Sequence, residues 1–128
     1  MGCFYTGYAY KQRKNGYFKV GETSHSSPAQ RLSSLRQEWG GFQCLGYLIL
    51  KNESYAERLF IESYVRLKMS QEQGLIHCGN DYFKYLMTTN NKKADQAYSI
   101  ADLAMHYAIE VCQMQNIEFT IGKRIYSR

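Results

Sequence analysis

Apolar and polar positions alternate over residues 4–11 and again over 17–21, the pattern of two half-buried strands. Arg13-Lys14-Asn15-Gly16 lies between them. Asn-Gly accepts the positive φ angles of a tight turn, so the two runs read as a hairpin. Alternation puts Tyr8 and Tyr10 on one face of the first strand and Ala9 on the other. A polar stretch from Ser24 to Pro28 follows, with Ser26 or Ser27 as N-cap and Pro28 at the first helical position. The spacing of Leu32, Leu35 and Trp39 predicts a helix over 29–38, and Gly40-Gly41 stops it.

Residues 42–50 form a third strand whose second half is continuously apolar, as in a strand covered on both faces. Ser54 and Glu57 have the spacing of a capping box that opens a second helix running to Met69. Ala56, Leu59, Phe60 and Leu67 are expected to form its apolar stripe. Residues 70–78 read as a loop, Gly79 to Tyr85 as a turn leading into a short element, and 88–93 as a polar break. A third helix over 94–115 carries Ala97, Ile100, Ala101, Ala104, Met105, Ala108 and Cys112 at helical spacing. Ile117–Ile121 reads as a last strand, followed by Lys123, Arg124 and Arg128.

The expected fold class is therefore α/β in the α+β sense. It comprises a small three-stranded, mainly antiparallel sheet flanked by helices, an extra C-terminal helix and a last strand. Residues 1–87 form the core and 88–128 a helical extension packed on it, in one domain. A net charge of +5 and a pI near 9.0 favour a polyanionic partner. Twelve tyrosines suit stacking on bases as well as mixed cores. Cys3, Cys44, Cys78 and Cys112 form no Cys-x-x-Cys pair and read as free thiols of a reducing compartment. No run reaches membrane-spanning length, which points to a cytoplasmic protein without a membrane partner.

Gly7-Tyr8-Ala9-Tyr10, then Lys19-Val20-Gly21-Glu22-Thr23 and a downstream Arg31-Leu32, resemble the GIY-YIG nuclease superfamily. The similarity is to the phage-type branch, in which lysine replaces the second signature tyrosine. Residues 7–10, 18–23, 31–35, 57–66 and 79–83 carry it. The resemblance implies a metal-dependent DNA endonuclease of a phage, mobile element or host, with one Mg²⁺ or Mn²⁺ ion. Its catalytic set would be Tyr10 or Tyr8 beside the attacking water, Lys19 in the second tyrosine's place, Arg31 on the phosphate and Glu62 on the metal, with Glu57 as the alternative ligand. Arg31 offers a planar fork of donors that matches phosphate oxygens. His25, in the loop after Gly-Glu-Thr, would carry protons or contact phosphate. Asn80 or Asp81 before Tyr82-Phe83 would contact ligand, and Arg36, about 140° round the helix from Arg31, would meet nucleic acid on another face. The alternative is a catalytically inactive module that binds nucleic acid or a protein partner as inhibitor or adaptor. In either case the C-terminal helix could serve as a protein or homodimer contact.

Overall fold

Gly2–Ala9 (β1) must satisfy two hydrophobic surfaces at once. Phe4 and Tyr8 face one side with Thr6 between them, and Cys3 and Tyr5 face the other. The computed structural model describes residues 2–9, 17–25, 27–39, 41–51, 54–72, 75–79, 82–85 and 93–122. After β1 come Tyr17–Thr23 (β2), Ala29–Trp39 (α1), Gln43–Leu50 (β3), Tyr55–Ser70 (α2), Leu75–Gly79 (β4), Tyr82–Tyr85 (β5), Lys93–Met114 (α3) and Phe119–Ile121 (β6). The strands make one sheet in the order β4-β5-β2-β1-β3-β6, with every neighbouring pair antiparallel.

The expected α+β architecture with an antiparallel sheet and three helices is present, and the expected last strand joins the sheet as β6, but β4 and β5 bring the sheet to six strands among the described residues. The expectation of a loop over 70–78 is corrected by β4, and the short element after it is β5. Both are short. The ladder between β4 and β5 shifts register between His77 and Gly79. A second irregularity, between Thr6 and Gly7 on the β1–β3 ladder, puts Leu45 and Leu48 into the same cluster despite their odd spacing.

Helix α1 covers one face, burying Leu32 and Leu35 against Tyr5, Phe42 and Cys44. Helices α2 and α3 cover the other, over Phe4, Tyr8, Phe18, Val20, Leu45, Leu48, Leu50 and Phe83. Ala101, Ala104 and Ala108 are buried small residues that let α3 approach closely. Gly46 admits Met105 of α3, since a Cβ there would lie 2.9 Å from the Met105 side chain. Two tyrosine–carboxylate bonds bridge α2 and α3. Tyr64 donates to Glu110 at 2.8 Å, and Tyr107 donates to Glu72 just beyond α2. Asn116, at φ 55°, ends α3, and Ile117 N–H donates back to the Cys112 carbonyl at 2.8 Å, reversing the chain into β6.

The buried stripe of α2 also differs from expectation. Ile61, Val65 and Met69 face the sheet, whereas Leu59, Phe60 and Leu67 are 38%, 48% and 57% exposed. Both sets have helical spacing. The longer stripe misleads because the sheet takes the face that also lets Arg58 reach Glu22. The capping box forms as expected, with Glu57 N–H donating to Ser54 Oγ at 3.2 Å and Ser54 N–H to Glu57 Oε1 at 2.9 Å. The side chains of Trp39 and Ala97 lie outside the description, as does the basic tail.

Two outcomes follow. A Cβ on Gly21 would stand 2.6 Å from the buried ring of Tyr5. Gly21→Ala is expected to cost about 1–3 kcal/mol in denaturant unfolding, and Tyr5→Leu in the same chain to recover part of that loss. The Glu72 bond holds the Tyr107 phenol protonated, raising its pKa from 10.0 to about 12. Folding therefore gains from this bond fully below pH 10.0 and loses the gain as pH rises towards 12. Tyr107→Phe should flatten that alkaline loss in unfolding curves recorded across the window.

Candidate phosphate-binding cleft

The end of β2 and the start of α1 frame a polar cleft of about 230 Å³ lined by Thr23, His25, Gln30, Arg31 and Ser34. Its local geometry follows from the sequence between the two elements. His25 N–H donates to Thr23 Oγ1 at 3.4 Å. Ser27 Oγ accepts from Ala29 N–H at 3.2 Å, and Pro28 O accepts from Leu32 N–H at 2.8 Å, so the helix starts at Pro28 under a serine cap. The first turn of α1 carries no acidic residue, and its positive end lies beside Arg31 and His25. Gln30 and Ser34 lie on the side of the helix away from Leu32 and Leu35, Arg31 flanks that side, and all three are exposed. The cleft therefore offers a guanidinium, an imidazole, an amide and two hydroxyls in one place.

Lys19 lies on the same face of the sheet as this helix. Residues opposite one another on antiparallel strands share a face. Lys19 is opposite Gly7, and the space a Gly7 side chain would need is filled by Phe42 of the α1 cluster. Lys19 is 3% exposed, and its carbonyl accepts from Thr6 Oγ1 at 3.1 Å. Lysine is rarely buried this far, which sets Lys19 apart from an exposed strand lysine.

Tyr8 and Glu62 lie on the other face. Tyr8 is 7% exposed, its ring 5.2 Å from that of Phe18, and burial pushes its phenol pKa up. It serves the α2–α3 core. Glu62 sits on α2, its carboxylate 3.7 Å from the Arg66 guanidinium. Glu57 is engaged as the helix cap. The sheet thus separates Lys19 and Arg31 from Tyr8 and Glu62. Tyr10, Asn80, Asp81 and the Arg36 side chain lie outside the described residues.

No family model matches the chain, and no curated protein or solved structure matches it. The geometry consequently carries the functional argument together with the motif order. Among the described residues no group of three or more His, Cys, Asp or Glu side chains could hold a metal ion. Cys3, Cys44 and Cys112 are buried free thiols, and burial pushes the Cys112 pKa up to about 11. Among the described residues no helix is long and apolar enough to cross a membrane.

Sequence reasoning missed one connection that positions the cleft. Arg58 on α2 donates to Glu22 at 2.9 Å, and both side chains are largely buried. Glu22 immediately precedes Thr23, so this pair fixes the end of β2 from the face opposite α1. Thirty-six positions separate the partners, and no local pattern announces them. The Gln30 and Ser34 lining was within reach, because helical spacing places Ser34 beside both Arg31 and Gln30. Arg58→Ala leaves the Glu22 carboxylate unpaired and should cost about 1–3 kcal/mol in denaturant unfolding. Glu22→Gln combined with Arg58→Ala should cost less than the two separate losses summed.

Proposed function

We propose that the chain is a GIY-YIG-type endonuclease domain that grips the DNA backbone in the β2–α1 cleft and hydrolyses phosphodiester bonds with a divalent metal ion. The observation that carries this reading is the joint placement of Arg31 and His25 in one polar cleft at the positive end of α1, with Lys19 of the signature on the same face. A phosphate entering the cleft meets donors from Arg31, Gln30, Thr23 and Ser34 and the first-turn amides of the helix. Arg31 would offset the charge that builds on the phosphoryl oxygens in the transition state. His25, exposed at the rim, can hand a proton to the leaving oxygen. The net charge of +5 draws the polyanion in.

The metal would supply an activated water and charge neutralisation. The described residues do not gather a site for it around Arg31. Glu62 is paired with Arg66 across the sheet, and Glu57 caps α2. No step is therefore assigned to the ion. This separation favours the second reading, a GIY-YIG-like module that binds nucleic acid without cutting it.

Supercoiled plasmid incubated with the protein and Mg²⁺ or Mn²⁺, against EDTA, separates the two. Metal-dependent nicking that disappears in Glu62→Ala or Glu57→Ala supports the nuclease and names its ligand. DNA binding without nicking supports the second reading. Arg31→Ala should weaken DNA binding about tenfold at low salt and reduce the salt dependence of what remains. Unchanged binding by that variant would remove the cleft from either account.

A further inference from the structure

Among the described residues the outer face of α2 is left exposed, and its pattern is self-complementary. Taking Ile61, Val65 and Met69 as the buried side, about 100° per residue puts Ala56, Leu59, Phe60, Ser63, Leu67 and Ser70 on the opposite side. All six are exposed and none is charged. A helix apolar on two sides is ordinarily covered on both. The rims of this face are charged in a definite order. One carries Glu57 near the start and Lys68 near the end, and the other carries Glu62 and then Arg66.

We propose that α2 pairs antiparallel with α2 of a second copy of this chain across a two-fold axis at Ser63. In such a pair, residues equally far before and after the axis meet. Leu59 then meets the second copy's Leu67, Ala56 its Ser70, and Phe60 lies beside its Arg66. Ser63 is small enough to let the helices cross closely. A two-fold axis of this kind brings like rim against like rim. Glu57 falls within about 1.5 Å along the axis of the second copy's Lys68, and Glu62 within about 3 Å of its Arg66. Each rim therefore matches opposite charges, whereas a parallel two-fold pairing would set one rim against the other at the same level and bring Lys68 beside the second copy's Arg66. The apolar cleft lined by Ala56, Glu57, Phe60, Gln115 and Ile117 adjoins this face at the α2 start, at the level the second copy's Leu67 occupies.

The C-terminal helix is the weaker surface for this role. Its apolar residues Ile100, Ala101, Ala104, Ala108 and Val111 are already buried within the chain. Its exposed positions include Asp102, His106 and Gln113.

Sedimentation velocity over a concentration series tests the pairing on the intact chain. The wild type should shift from monomer to dimer, and Leu67→Glu, an exposed position that leaves the core untouched, should raise the dissociation constant at least about tenfold. Ser63→Cys should form a covalent dimer under mild oxidation, where wild type and Leu59→Cys do not, and mixing Leu59→Cys with Leu67→Cys should give the crossed product. A wild type monomeric throughout would overturn the proposal and leave the face to a different protein. A dimer indifferent to Leu67→Glu, or a Ser63→Cys chain that does not cross-link, would overturn it equally.

Discussion

Burial of β1 on both faces is the constraint on which the rest of the structure depends. A central strand flanked by β2 and β3 has no solvent side. Its alternation must therefore recruit a helix to each face, and α1 goes to the Tyr5 side while α2 and α3 go to the Phe4 side. Once those assignments are made, the register of the β1–β2 ladder fixes where every residue of the signature stretch falls. Lys19 goes with Gly7 to the α1 side, and Phe18 with Tyr8 to the other. No freedom remains to turn one of these side chains over without slipping the ladder by a residue and exposing a core.

This logic explains why the residues implied by the family resemblance divide into two groups. The cleft at the β2–α1 junction is assembled from elements adjacent in sequence, so its residues come together whatever the distant helices do. Glu62 and Glu57 reach the sheet only through the docking of α2, which is set by Ile61, Val65 and Met69 and by the Arg58–Glu22 pair. The Arg31 and His25 half of the implied site is thus a local property of the chain. The carboxylate half is a tertiary property, and here it faces the other way.

Much of the fold was legible from residue patterns. The hairpin strands, the Pro28 start of α1, the capping box at Ser54 and the long α3 follow from short-range chemistry, and the structure has each within a few residues of its expected bounds. What could not be read was decided at long range. Strands β4 and β5 are five and four residues long and are held by ladder bonds rather than by their own alternation. The choice between the two apolar stripes of α2 depends on what the sheet presents, which no window on the helix contains. In the candidate site, Arg31 and His25 line one cleft between elements adjacent in sequence, while the burial of Lys19 and the core role of Tyr8 required knowing which face each strand residue takes.

The position of α3 has a consequence for how the chain matures. Phe4, Leu48 and Leu50 are laid down early in synthesis, yet they are roofed by Ala104, Ala108 and Val111, and β3 gains its outer neighbour only from residues 119–121. A growing chain emerges N-terminus first, so the half-made sheet stands with one greasy face and one open edge until residues 93–121 have emerged. Any chain that stops before residue 93 would keep that surface permanently, which makes the C-terminal third a built-in safeguard against clumping as much as a structural support.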